Sequence, residues 1–119
     1  MILSLSQLGF SKETTYRARV TYYFQAGKKV AWQKVKVAVE GESVAAHPDF
    51  EFGTKISIPA LRGIVGDGEY TIHDRGPAVT KKVASRGKEY VIDVFVNSNK
   101  KIKHLAKTAP MYMSVIVHE

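Results

Sequence analysis

The feature that most constrains this chain is a succession of short segments in which apolar and polar residues alternate with a period of two. From Tyr16 to Phe24, Arg17, Arg19 and Thr21 alternate with Ala18, Val20 and Tyr22. That pattern describes a strand with one face in a core and the other towards solvent. Val35, Val37 and Val39 alternate with Lys34, Lys36 and Ala38 in the same way, predicting a second strand that ends at Glu40-Gly41-Glu42. Shorter strand-like pieces follow at 43–46, 55–58, 69–74 and 91–96, and 111–118 predicts a last apolar strand. Gly53, Pro59, Gly63, Gly66, Gly68, Gly76 and Pro77 punctuate them. Segment 98–107 reads as the one helix: Asn97 or Ser98 can cap it, and Ile102, Leu105 and Ala106 share a face. Many short strands, one helix and frequent turns predict a mainly β chain closed into a small barrel. Residues 1–15 are weakly patterned and read as an arm or extension ahead of a single domain at 16–119.

A chain of 119 residues has room for one real core. Without cysteine it has no disulfides, no thiolate nucleophile and no thiolate zinc site. The net charge of +7 favours an anionic partner, whether nucleic acid, an acidic membrane surface or an anionic wall polymer. No apolar run approaches the roughly 20 residues of a membrane-spanning helix. His47, His73, His104 and His118 form no His-x-His or His-x-x-x-His pair, so no metal is expected, and His73 and His118 read as surface or rim residues. Gly63-Ile-Val-Gly-Asp-Gly68 lacks the Gly-Lys-Ser/Thr ending of a phosphate loop, and no serine lies in a Gly-x-Ser-x-Gly context. No cofactor is expected. Lys28, Lys29, Lys34 and Lys36 surround Trp32, a combination that single-strand-binding barrels use. The remaining lysines are dispersed, and Lys100, Lys101 and Lys103 lie on the helix, which argues for a solvated surface and against nucleic acid.

Asp93 is the only acid in Tyr90-Val-Ile-Asp-Val-Phe-Val96. Alternation puts it on the face of Val91 and Phe95, opposite Ile92 and Val94. Such surroundings disfavour the charged form and raise the pKa, as a proton donor working near neutral pH requires. The competing reading is a barrel-rim aspartate satisfied by backbone N–H groups. Asp74 closes Glu69-Tyr-Thr-Ile-His-Asp74 before Arg75-Gly76-Pro77. It reads either as a turn residue accepting local hydrogen bonds or as a second carboxylate that orients Asp93 or raises its pKa.

Four stretches follow one another in order: Ser43-Val-Ala-Ala-His-Pro48, Phe52-Gly-Thr-Lys-Ile-Ser-Ile-Pro59, Tyr70-Thr-Ile-His-Asp-Arg-Gly76 and Val91-Ile-Asp-Val-Phe95. Together with Val20-Thr-Tyr-Tyr23 upstream, this series resembles the three-aspartate (3D) domain of cell-wall lytic enzymes, related to the catalytic domain of membrane-bound lytic transglycosylase A. The resemblance covers roughly 19–119 and implies a six-stranded double-psi β-barrel with one short helix near the C-terminus. It further implies cleavage of peptidoglycan glycan strands to a 1,6-anhydro product. Asp74 and Asp93 match the second and third family aspartates, the third being the acid–base catalyst. The first falls on His47, a departure, with Asp49 two residues on. The stretch between Asp74 and Asp93, holding Lys81, Lys82, Arg86 and Lys88, is longer than usual for the family.

The resemblance thus assigns Asp93 and Asp74 to catalysis, and Thr21, Tyr23, His47 and Arg75 to the substrate. The alternatives are a non-catalytic wall-binding or structural barrel module and, behind it, a nucleic-acid-binding barrel. A wall substrate implies a periplasmic or extracellular location. Met1-Ile-Leu-Ser-Leu-Ser-Gln-Leu8 is not a signal peptide, so an export signal is expected outside this chain.

Overall fold

The computed structural model describes residues 12–119. Six strands, β1 (Glu13–Tyr23), β2 (Ser43–Ala45), β3 (Lys55–Ser57), β4 (Glu69–Asp74), β5 (Val91–Phe95) and β6 (Tyr112–His118), close into a barrel in the order β1-β5-β2-β4-β3-β6. The pairs β1–β5 and β2–β4 are parallel and the other four are antiparallel. A ten-residue helix, α2 (Asn99–Thr108), precedes β6, with the Ser98 hydroxyl capping it by accepting from the Lys101 N–H at 3.1 Å. This closed, mainly β barrel with a short C-terminal helix is the architecture expected from the sequence. A four-residue helix, α1 (Pro77–Thr80), is an addition. Among the described residues no helix is long and apolar enough to cross a membrane.

Alternation decides what fills the barrel. Ala18 and Val20 of β1, Val44 of β2, Ile56 of β3, Tyr70 and Ile72 of β4, Ile92 and Val94 of β5, and Val115 and Val117 of β6 point inwards and form one core. Each fully buried branched side chain among them contributes roughly 1.5–3 kcal/mol. Val91 of β5 points outwards and meets Val79 of α1 and Ala45 of β2 in a second, smaller cluster. The face that carries Asp93 is therefore roofed by α1.

Two expectations need correction. Segment 34–39 is not a strand: it runs as a loop whose one β-bridge among the described residues is Lys29 to Val37, with Val37 and Val39 exposed. A closed barrel has no free edge, so a seventh alternating segment finds no place in the sheet however well patterned it is. The first strand also starts earlier than expected, since Glu13, Thr14 and Thr15 pair with β6 and belong to the barrel, not to an arm. The rest of the expected arm, residues 1–11, lies outside the described residues.

Two features tie the outside of the barrel. Gly66 (φ 65°) passes so close to Gly41 that a Cβ would sit 2.8 Å from the Gly41 Cα, so only glycine fits there. Across the β4-β3-β6-β1 seam, Ser57 donates to the Glu69 carboxylate, and its oxygen lies 2.7 Å from His118 Nε2. His118 Nδ1 in turn lies 3.2 Å from Glu13 Oε1. Ser57 is 6% exposed and already shares its proton with Glu69, so this chain of contacts is a structural tie and not a nucleophile site.

Among the described residues, Tyr22 Oη is the one buried side-chain polar atom without a hydrogen-bond partner. An unpaired buried hydroxyl loses its hydration with no return. Tyr22→Phe is therefore expected to hold stability or raise it by about 1 kcal/mol in urea unfolding. A loss of that size would show that the hydroxyl is bonded after all.

Candidate functional site

The centre of the site is a row of residues paired across four adjacent strands. Thr21 of β1 pairs with Asp93 of β5, Asp93 with Ala45 of β2, and Ala45 with Asp74 of β4. Neighbouring strands lie about 4.8 Å apart, which places the two aspartate backbones roughly 10 Å from each other with Ala45 between them. Both carboxylates open on one cleft of about 200 Å³, lined also by Tyr23, Lys28 and the α1 residues Pro77 to Val79. An alanine at the middle position leaves room for both side chains above its methyl group.

Asp74 reaches this face only through an irregularity. Alternation from Tyr70 and Ile72 would carry it into the apolar interior. Between Val44 and Ala45 the β2–β4 register shifts by one: Val44 pairs with Ile72 and Ala45 with Asp74, passing over His73. A one-residue slip exchanges the faces of everything beyond it. Asp74 thus joins Asp93 outside the barrel, and His73 remains outside as well.

The two carboxylates have different surroundings. Asp74 is 3% exposed, and its Oδ1 accepts the backbone N–H groups of Arg75 (2.9 Å) and Ala31 (3.1 Å). Its Oδ2 accepts the Tyr23 hydroxyl at 3.3 Å and faces Lys28 Nζ at 3.7 Å. All of these are donors, the set an ionised carboxylate needs. Among the described residues Asp93 has one side-chain partner, the Thr21 hydroxyl at 2.9 Å from Oδ1. Burial pushes its pKa up to about 6; the Thr21 bond opposes the shift and the Asp74 charge adds to it. Burial also drives the Tyr23 phenol well above its ordinary value, reinforced by both aspartates, so Tyr23 serves as a neutral donor. One carboxylate fixed by donors beside one poised to carry a proton is a division of roles that acid–base chemistry uses.

The other expected residues divide. Thr21 and Tyr23 are at the site, each bonded to one carboxylate. Arg75 contributes its backbone N–H, but its guanidinium donates to the carbonyls of Ala46 (3.1 Å) and Phe50 (2.6 Å) and stacks on Phe52. It pins the 46–52 loop, and Arg75 also lines the cleft. His47 is not among the cleft-lining residues. Its Nδ1 accepts the Asp49 N–H at 3.0 Å, and its ring leans on Tyr90. Asp49, the other candidate for a third carboxylate, is exposed and accepts the Tyr90 hydroxyl at 2.6 Å. Among the described residues the cleft therefore holds two carboxylates. Among the described residues no group of three or more His, Cys, Asp or Glu side chains is placed to hold a metal ion.

Sequence reasoning missed Lys28, the Ala31 N–H and Ala45. The first two come from the loop after β1 and have no local signature. Ala45 matters only because strand order sets it between two aspartates far away in sequence.

The raised pKa of Asp93 has a consequence for stability. Between 3.8 and about 6 the folded protein holds a proton that the unfolded chain has lost, so stability falls as pH rises through that window. The shift corresponds to a deficit on the order of 3 kcal/mol above pH 6, absent below pH 3.8. Asp93→Asn cannot ionise and is expected to be more stable than wild type at pH 7.5, with the gap closing towards pH 4. Urea unfolding at both pH values checks this, and parallel pH profiles for the two proteins would contradict it. No protein-family model, curated protein or solved structure matches the chain, so what this cleft can do is judged from its own geometry and chemistry.

Proposed function

We propose that the chain is a three-aspartate-type barrel acting as a lytic transglycosylase on peptidoglycan, with Asp93 as its general acid and base. The observation that carries this reading is the largely desolvated carboxyl of Asp93, bonded among the described residues to Thr21 and sharing a cleft with the donor-saturated Asp74. The ordered sequence motifs supply the substrate class.

The chemistry balances on one carboxyl. Protonated Asp93 gives its proton to the glycosidic oxygen as the bond from C1 of N-acetylmuramic acid breaks. Asp93, now a carboxylate, takes the proton of that sugar's own C6 hydroxyl while the C6 oxygen bonds to C1. The product carries a 1,6-anhydro ring, no water is consumed and Asp93 ends protonated. Because the nucleophile is internal, the second carboxylate that an inverting glycosidase uses to activate water is not required. Asp74 then keeps negative charge near Asp93, raising its pKa and favouring positive charge that develops at C1. The cleft's 200 Å³ is below the roughly 300–1,000 Å³ of sites that enclose a whole ligand. A polymer touching it at one bond suits that size. On this reading the protein works where the polymer lies, in the periplasm or outside the cell.

A non-catalytic wall-binding module is the second reading, favoured by the departure of His47 and Asp49 from the cleft. Digestion of purified peptidoglycan with mass analysis of the ends separates the two. Wild type is expected to produce anhydro ends with kcat/KM falling above about pH 6, as protonated Asp93 is depleted. Asp93→Asn is expected to lose at least about a thousandfold, in the range of removing a principal acid–base group. Sedimentation with the wall without anhydro ends would favour the binding module. Anhydro ends from both proteins would remove Asp93 from the mechanism. Tight, steeply salt-dependent oligonucleotide binding without glycan cleavage would move the function to nucleic acid.

A further inference from the structure

The stretch between β4 and β5 holds a charge pattern that the chemistry at Asp93 does not use. Residues 81–88, Lys-Lys-Val-Ala-Ser-Arg-Gly-Lys, carry four basic side chains and no acid. Lys81, Arg86 and Lys88 are exposed, and Lys82 Nζ lies 4.5 Å from the centroid of the Tyr90 ring. Glu89, the next residue, is taken up by Arg17 at 2.8 Å. Asp49, close enough to feel the Lys82 charge, accepts the Tyr90 hydroxyl. Even counting Asp49, the turn keeps an excess of positive charge.

The turn is built, not loose. Ser85 is 4% exposed; its oxygen accepts the Glu89 N–H at 3.1 Å and faces the Lys82 carbonyl at 3.0 Å. The N–H groups of Ser85, Arg86, Gly87 and Lys88 all bond to carbonyls within the turn. Its amides are therefore spent internally, and what it presents outwards is side chains. Lys82 (φ 51°) and Arg86 (φ 55°) hold left-handed conformations at the ends of residues 83–85, where glycine is the unstrained choice. The strain is accepted at two positions that carry charge, which is how strain is commonly placed at a binding surface.

The apex is apolar. With Ser85 turned into the fold, Val83 is 58% exposed and Ala84 is exposed beside it, between Lys82 and Arg86 in the chain. A dissolved polyanion complements the charges but offers nothing to Val83. An anionic lipid surface complements both, with phosphates for the basic groups and an interfacial layer for the apolar tip. We propose that the 81–88 turn docks the protein on the surface of an anionic lipid bilayer, its basic side chains at lipid phosphates and Val83 and Ala84 in the interface. The turn follows α1, whose Pro77 to Val79 line the Asp93 cleft, so docking holds that cleft close to the bilayer. Asp93 itself takes no part, so the docking stands or falls separately from the glycan chemistry.

Sedimentation with vesicles tests it. Binding to vesicles of equal parts phosphatidylglycerol and phosphatidylcholine is expected at about 20 mM salt and is lost by about 0.5 M. Phosphatidylcholine alone should bind none. Each basic residue at an anionic leaflet is worth about fivefold, so Lys81→Gln/Arg86→Gly/Lys88→Gln should need on the order of a hundredfold more lipid. Glycine suits the Arg86 backbone, and Lys81→Gln/Lys88→Gln, which leaves that backbone untouched, should still cost roughly twenty-fivefold. Lys100→Gln/Lys103→Gln/Lys107→Gln removes the same charge from exposed positions of α2 and should cost far less. Val83→Ser should weaken vesicle binding about threefold and leave binding to inorganic polyphosphate unchanged. No sedimentation at low salt, equal binding to phosphatidylcholine, or equal losses from the turn and α2 variants would overturn the proposal. Vesicle binding unaffected by Val83→Ser would overturn it in favour of a dissolved polyanion.

Discussion

Much of what this molecule can do depends on a one-residue slip in the pairing of β2 with β4. In a closed barrel a side chain points inwards or outwards, and inwards here means Val44, Ile56, Ile72 and Val94. Strict alternation would put the Asp74 carboxylate among them, where no partner could repay its lost hydration. The slip turns Asp74 out beside Ala45 and leaves His73 out beside Ser43. One backbone irregularity therefore supplies the carboxylate pair, while His73 faces outwards by ordinary alternation.

The two aspartates then differ by what surrounds them. Asp74 collects backbone amides, a phenol and an ammonium because the loop after β1 folds back over it. Asp93 collects α1 above it and little else, because the residues between β4 and β5 pack Val79 onto Val91 and Ala45. That segment keeps Asp93 out of water and does so with some strain, since Lys82 and Arg86 flank its second turn in left-handed conformations. Its basic residues, conspicuous in sequence, follow α1 and are not among the cleft-lining residues; Lys82 sits over the Tyr90 ring. Holding an ionisable group in this setting destabilises the fold at neutral pH, a cost commonly found where a pKa is tuned for chemistry.

Most of the barrel was legible in sequence because burial enforces alternation. The limits of β4 were read as they stand, and β5, β6 and α2 within a residue or two. The failure at 34–39 is instructive, since its pattern is as regular as that of β1. Alternation reports that a segment could line a core; whether any strand has unpaired N–H and C=O groups left for it is settled by the other strands. His73 was misread for a related reason: local pattern placed it at the surface, and the Trp32 loop, whose backbone N–H bonds the His73 carbonyl, covers it.

The sequence by itself determined that the chain is a mainly β barrel, that Asp93 is an acid in apolar company, and that Thr21 and Tyr23 share one face of β1. Each follows from side-chain periodicity, which is a local property. Tertiary structure alone decided that Asp93 pairs with Thr21 and is two strands from Asp74, that Arg75 is turned to the 46–52 loop, and that His47 sits against Tyr90 away from the cleft. Those outcomes depend on strand order, a register slip and the paths of loops. All three are set by which distant segments compete best for the same backbone hydrogen bonds and the same core.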